Sequence, residues 1–387
     1  MSVRKRTWTT SSGEAKAAWA VDYRDTGGKR RLKTFRLKKD ADSFAATSHV
    51  EVASGRHVAD RGSVTVAQAG MLWIDASEAA GLEQSTVNQY QQHTRLHINP
   101  FIGDALLSKL TVPLVRKFSD DLRAADRSMA MVRKVLVSLG SLIADAQERG
   151  LVGRNVVRDM RGRRKSIDKT EKRQKGRLKV GIDIPTPEEV KAILSVLEGH
   201  WRPIILTAVL TGMRASELRG LSWAGVDLDR NEIRVYQRAD RFNRIGPPKS
   251  VAGERTIPIT PMVATELKQW KELCPAGDLD LVFPTGSGNV ESHSNLRSRG
   301  LIPFVERAGV IDRDGNAKYS GLHSLRHFYA SWCINRKEDG GLGLLPKTVQ
   351  ERMGHSSITM TLDVYGHLFP RNDNTEEMAA AEAVLFN

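Results

Sequence analysis

A chain of 387 residues has room for two or three domains with cores of their own, and its formal net charge of +14 draws it toward a polyanion. No apolar stretch approaches the roughly 20 residues that span a bilayer, and Met1 to Thr10 carries no apolar signal region, which argues against membrane attachment. Two cysteines, Cys274 and Cys333, have no metal-ligand company; they argue against a disulfide framework and fit a reducing cytoplasm.

The first segment, residues 1–60, reads as a small sheet followed by a helix. Trp19, Val21 and Tyr23 alternate with Ala18, Ala20 and Asp22, the period of a half-buried strand. Asp25-Thr26-Gly27-Gly28 supplies a turn, and Arg30 to Phe35 a second strand loaded with Arg30, Arg31 and Lys33. From Asp40 the pattern becomes helical, with Ala41, Phe44 and Ala45 on one face. Two readings stand side by side: a solvated basic hairpin, or a DNA-reading ribbon narrow enough for the major groove.

Residues 64–160 are dominated by helical spacing. Ser85-Thr86 opens a helix through Tyr90 and His93, with Asn99-Pro100 and Gly103 marking its end. Met131, Val135, Leu139, Leu142 and Ala146 recur at three- and four-residue intervals and predict one buried face. Residues 161–182 then form a basic boundary: RGRRKSIDKTEKRQKGRLK holds ten basic and two acidic residues and too few bulky apolar ones to fold alone. The last domain, residues 183–387, opens at Thr186, which caps a helix beginning at Pro187.

Three stretches of that domain carry chemistry. In LTGMRASELRGLSWAGVDLD (Leu210 to Asp229), a turn at Thr211-Gly212 presents Arg214 at a helix start, with Glu217 one turn on to orient it. In PPKSVAGERTIPIT (Pro247 to Thr260), extended runs at Glu232 to Tyr236 and Arg255 to Ile259 flank a turn bearing Lys249. The third comprises GLHSLRHFYAS (Gly321 to Ser331) and VQERMGHSSITMTLDVYGHL (Val349 to Leu368). His323 and Arg326 share a helix face there. Gly354 ends one helix, Ser356 caps the next, and His355 sits in the turn between them. Ile358, Leu362 and Tyr365 share a face of the helix that follows. Taken singly, each residue has a plainer reading: a helix-start ion pair, a solvated lysine, structural histidines, a core tyrosine.

Together these stretches resemble the catalytic domain of the tyrosine site-specific recombinases, phage-type integrases in particular. That family's functional set, arginine, lysine, histidine-x-x-arginine, histidine and tyrosine in chain order, falls on Arg214, Lys249, His323, Arg326, His355 and Tyr365. The TGMR, H-x-L-R-H and G-H-S-S words match as well. Ser324 departs from the family's frequent aspartate at a position without a catalytic role, and KEDGGLGLL (Lys337 to Leu345) makes a long glycine-rich loop. The resemblance implies a mixed, mainly α fold with small β-sheets: an N-terminal sheet/helix arm-binding module, a helical core-binding domain and an α+β catalytic domain.

The implied reaction cuts and rejoins DNA through a 3′-phosphotyrosine on Tyr365, integrating a phage or other mobile element. Arg214 and Arg326 clamp the phosphate, His355 donates to it, His323 accepts or relays the tyrosine proton, and Lys249 protonates the leaving 5′-oxygen. No metal, cofactor or ATP is expected, since the arginines supply the charge and the phosphotyrosine keeps the bond energy. Expected partners are double-stranded DNA attachment sites and three further copies in a tetramer on DNA. A host DNA-bending protein and a recombination directionality factor are further candidates. Arg30, Arg31 and Lys33 are the expected arm contacts, and Met378, Ala381, Val384 and Leu385 a helical face that docks on a neighbouring protomer. Two other functions compete: a DNA-binding regulator that never cuts, and a type I topoisomerase. The first has no need of Tyr365 in this setting; the second shares the tyrosine chemistry but matches the N-terminal module and the G-H-S-S word less well.

Overall fold

The alternating run around Trp19 builds the first sheet. In the computed structural model, which describes residues 1–11, 13–25, 27–54, 62–160, 177–370 and 375–386, it forms β2 (Ala15–Arg24), paired antiparallel with β1 (Ser2–Thr9) and β3 (Arg30–Phe35) in the order β1-β2-β3. Val21 and Tyr23 bury against Ala41 of α1 (Lys38–Ala53), with Trp19, Phe35 and Phe44 around them. β1 has no apolar alternation to announce it: Val3 alone of its residues packs on this core, and the ladder to β2 makes it a strand.

Because side chains alternate across a sheet, the basic residues of β3 divide between its faces. Arg30 lies on the open face and, with Arg4, pairs with Asp22. Arg31 lies on the helix side, Nε 2.7 Å from Asp25 Oδ2, and Lys33 Nζ sits 4.5 Å from the Phe44 ring centroid on that same side. The expected basic ribbon of Arg30, Arg31 and Lys33 is therefore not one surface. The open face instead sets Arg4, Arg6 and Trp8 across from Ala20, Ala18 and Lys16.

Helices follow: α2 (Val66–Ala79), α3 (Gln84–His93), α4 (Asn99–Ile102), α5 (Val112–Ala124) and α6 (Met129–Glu148). Thr65 and Gln68 cap α2 reciprocally, and Thr111 and Ser128 cap α5 and α6. Asn99-Pro100 does not end the helix it follows. α3 runs through a π-turn, Thr94–Ile98, into α4, and the π-turn immediately precedes Pro100, which has no N–H to continue the ladder. In α6 the buried stripe is Val132, Val135, Leu139, Leu142, Ile143 and Ala146, while Met131 is only partly covered. Each fully buried aliphatic side chain contributes about 1.5–3 kcal/mol of transfer free energy.

Two compact units divide the chain, Met1–Lys165 and Ser166–Asn387, and their boundary falls within the expected linker at 161–182, most of which (161–176) lies outside the described residues. The second unit begins with α7 (Pro187–Ser195), where Thr186 and Glu189 form a capping box and Pro187 stands in the first turn. α8 (Trp201–Thr211) is buried almost all round, and α9 (Ala215–Arg219) follows it. Strands β4 (Val226–Asp227), β5 (Glu232–Val235) and β8 (Arg255–Pro258) form an antiparallel sheet; β6 (Arg238–Ala239) and β7 (Ile245–Gly246) form a separate hairpin between β5 and β8. Lys249 is thus on an exposed segment beyond β7, not at the tip of a simple β5–β8 turn.

Further helices include α10 (Pro261–Leu273), α11 (Ile302–Arg307), α12 (Leu322–Ile334), α13 (Pro346–Met353), α14 (Ile358–Tyr365) and α15 (Thr375–Phe386). The loop after α12 folds back on it: Leu344 N donates to Cys333 O and Trp332 Nε1 to Gly340 O. Ile358 and Leu362 of α14 are exposed, while Thr361 and Tyr365 turn inward, so the expected shared apolar face is split between solvent and core. The architecture is mainly helical with small sheets. Among the described residues no helix is long and apolar enough to cross a membrane.

Candidate active site

Gly212 ends α8 in the left-handed conformation, φ +61°, and a Cβ there would lie 2.4 Å from Tyr329 Cδ1 of α12. Only glycine permits both the turn and the close approach. The chain then places Arg214 at the N-cap of α9. Glu217 Oε2 accepts from the Arg214 backbone N–H at 2.9 Å, and Oε1 from its Nη1 at 2.7 Å. A second cation shares this carboxylate: Arg255 of β8 donates from Nη1 and Nη2 at 3.2 and 2.9 Å. Burial pushes the Glu217 carboxyl upward, but Arg255 and then Arg214 outweigh it and hold it at about 2.

The last turn of α13 gathers these arginines. Helix C-termini leave carbonyls without intrahelical partners and carry negative partial charge. Arg352 O accepts from Arg255 Nε at 2.7 Å, Met353 O from Arg326 Nη2, and Gly354 O from Arg214 Nη2 at 2.9 Å. Three successive carbonyls thus orient three guanidiniums around a single buried carboxylate, and the site keeps a positive field. Arg326, on α12, is almost wholly buried and also donates to Gly212 O at 2.5 Å. Burial, then Arg214, pushes its pKa down, yet a guanidinium keeps its proton at neutral pH.

Gly354 closes α13 at φ +61°, where a Cβ would meet Arg255 Nη1 at 2.8 Å and Ala252 O at 2.9 Å. His355 follows, buried, its Nδ1 2.9 Å from Thr361 Oγ1 and its ring nearly parallel to Tyr365 with centroids 6.2 Å apart. The cap of α14 is Ser357, which accepts from Met360 N, and not Ser356. Tyr365, at the end of α14, is 2% exposed. Burial pushes its hydroxyl up to about 12 against the opposing pull of Arg326 and Arg214.

The hydroxyl bonds to His327 Nδ1 at 2.7 Å, not to His323. His323 reaches solvent, and its ring stands edge-on to His327 with centroids 4.5 Å apart. Desolvation, then the flanking Arg326 and Arg214, lowers its pKa. Arg214, His323, Arg326, His355 and Tyr365 are thus linked into one cluster by these contacts. Lys249 lies on the segment leading into the turn Val251–Gly253, whose Ala252 carbonyl approaches Gly354. Arg30, Arg31 and Lys33 belong to the other unit.

Sequence reasoning passed over His327 and Arg255. His327 stands one helical turn after His323 in the same H-x-L-R-H word, a signal that the i, i+4 rule exposes. Arg255 had none, because it meets Glu217 across 38 residues of sequence.

Known proteins resemble this chain in sequence and in fold. The Phage integrase family model matches residues 185–371. A tyrosine recombinase XerC-like protein of Caldanaerobacter subterraneus subsp. tengcongensis is 26% identical over 376 residues, covering 90% of this chain and 91% of that one. The ICEBs1 integrase of Bacillus subtilis is 25% identical over 311 residues, 78% of this chain and 79% of that one. In fold, the chain is similar to the Tn1549 transposon integrase in complex with transposon right end DNA (TM-score 0.63, 20% identity, 83% of this chain and 100% of that one). It is also similar to lambda integrase in a tetramer bound to a Holliday junction (TM-score 0.55, 18% identity, 91% and 96%). Arginines gathered on one helix end beside a buried tyrosine, within the residues that match this family, make residues 185–371 a phage integrase family domain, that of a tyrosine recombinase.

Proposed function

We propose that this chain is a site-specific DNA recombinase of a mobile element, which cuts and rejoins strands through Tyr365. The observation that carries the reading is the buried Tyr365 hydroxyl lying in the field of Arg326 and Arg214, both oriented by the end of α13. A phosphodiester entering the positive field is clamped by the two arginines, whose planar forks match its non-bridging oxygens. Removal of one such oriented donor costs about 2.7–4 kcal/mol of transition-state stabilisation, by analogy with oxyanion sites. His355 donates to the same phosphate. Lys249, on its exposed segment, gives a proton to the departing 5′-oxygen, and His323 relays protons between the site and water. The 3′-phosphotyrosine conserves bond energy for rejoining.

In this reading residues 64–160 clasp the core site, and residues 1–60 bind separate arm sites through the open sheet face, where Arg4, Arg6 and Arg30 lie, in place of Arg31 and Lys33. Two duplexes need four cuts, so the working form is a tetramer on DNA, with α15, whose Met378 and Val384 are exposed, docking on a neighbouring protomer. A host DNA-bending protein and a directionality factor complete the expected company, in the bacterial cytoplasm.

The test uses duplexes selected by the wild-type protein from a randomised pool and then nicked beside the cleavage position as suicide substrates. The wild-type protein should be trapped covalently with excess EDTA present, whereas Tyr365→Phe should bind and not attach. Attachment by the Phe variant, or a strict magnesium requirement, would overturn the assignment.

A further inference from the structure

Any tyrosine that attacks phosphorus must lose its phenolic proton, and the position of the acceptor is set by what the hydroxyl touches. Among the described residues, the single hydrogen bond of Tyr365 Oη is to His327 Nδ1, at 2.7 Å. A buried hydroxyl left without an acceptor costs about 1–3 kcal/mol, so the phenol donates and Nδ1 accepts, leaving the imidazole proton on Nε2. His323, the histidine singled out by the family pattern, contacts the His327 ring and reaches solvent. His355 is spent on Thr361 through Nδ1 and meets Tyr365 only ring to ring. Both guanidiniums are donors, and Arg326 and Arg214 have no acceptor to offer.

Resting on the recombinase reading above, we propose that His327 is the catalytic base for Tyr365, with His323 behind it as relay. As the P–Oη bond forms and the P–O5′ bond breaks, the phenolic proton passes to His327 Nδ1, and the 5′-oxygen takes its proton from Lys249. Rejoining runs the same path backward: the 5′-hydroxyl gives its proton to Lys249, attacks phosphorus, and the released Tyr365 recovers its proton from His327. Burial, with His323 and Arg326 adding to it, lowers the His327 imidazole to about 4, so it stands neutral at pH 7 with its Nδ1 lone pair free to accept, but it is a weak base until the phosphate arrives. The phosphate that must be present for attack also brings the negative charge that favours an imidazolium beside it.

The experiment measures single-turnover attachment to the selected, nicked duplex. His327→Ala and His327→Asn are compared with His323→Ala, each with Tyr365 and with a fluorinated tyrosine incorporated at that position. Fluorination lowers the phenol pKa, so a nucleophile so modified needs no base. Asparagine places an amide oxygen near the Nδ1 position, preserving the hydrogen bond without the ability to take a proton. His327→Asn should melt near wild type and His327→Ala somewhat below it, and both should lose about 10²–10⁴-fold in attachment rate. The fluorinated nucleophile should restore most of that loss. Attachment by His327→Asn at the wild-type rate would overturn the proposal, as would a loss that fluorination leaves unchanged, or rescue that tracks His323→Ala alone. If the wild-type protein itself attaches to no selected duplex, it is the recombinase reading that fails, before His327 is tested.

Discussion

Replacing Glu217 by glutamine probes the charge balance at the centre of the site. The Glu217 side chain is 2% exposed and the Arg255 side chain 6%, so E217Q keeps the shape and leaves a buried guanidinium without its counter-ion. Breaking a buried pair by neutralising one partner costs about 3–5 kcal/mol. Linkage gives a second route to the number. The carboxyl is held at about 2 in the folded chain against an ordinary 4.5. With about 1.4 kcal/mol per pKa unit, the ionised carboxylate contributes about 3 kcal/mol. The folded value lies below the unfolded one, so this contribution is present above about pH 4.5 and is lost as pH falls through about 2. Urea denaturation of both proteins, followed by circular dichroism across an acid series, reads it directly. At neutral pH the variant should unfold earlier by the equivalent of about 3 kcal/mol, and the gap should close toward about pH 2. A gap under about 1 kcal/mol at neutral pH, or one insensitive to acid, refutes the account of Glu217 as the shared counter-ion.

Gly354→Ala should destabilise the second unit by about 1–3 kcal/mol and abolish covalent attachment, because its Cβ collides with Arg255 and Ala252 in a left-handed backbone; a wild-type melting temperature with normal attachment contradicts this. In the first unit, burial holds both His93 and His97 below their ordinary value of 6.5. Stability there should be complete above that value and fall as acid charges the imidazoles, seen as a drop in melting temperature between about pH 7 and 5 that His97→Gln lessens. Deleting residues 1–60 should spare attachment to a short core duplex and weaken binding to long attachment DNA by up to about 10²–10⁴-fold. Identical footprints of the full and deleted proteins would show that the module binds no arm site. Truncation after Phe369 should abolish synapsis and spare single-site binding; unchanged recombination excludes docking by α15.

Much of this protein is set by local sequence. Thr186-Pro187 with Glu189 starts a helix wherever it stands, Gly212 and Gly354 end one, and Trp19, Val21 and Tyr23 make a strand, because caps, left-handed turns and period-two burial are short-range effects. Arg214, His323, Arg326, His355 and Tyr365, which the structure draws together, were legible for the same reason, each lying in a short word that carries its own turn or helix.

Other features depend on partners distant in sequence. β1 is a strand because β2 offers it a ladder, and Lys33 is turned to the helix side by its place in the pleat. Arg255 is a member of the site only because β8 and α9 bring it to Glu217, and α13 happens to end where three guanidiniums need acceptors. The choice of His327 over His323 as the partner of Tyr365 is of this kind. Both histidines sit on α12 one turn apart, and the family pattern picks out His323. What separates them is the angle at which α14 delivers the phenol, and only the packing of those helices fixes that angle.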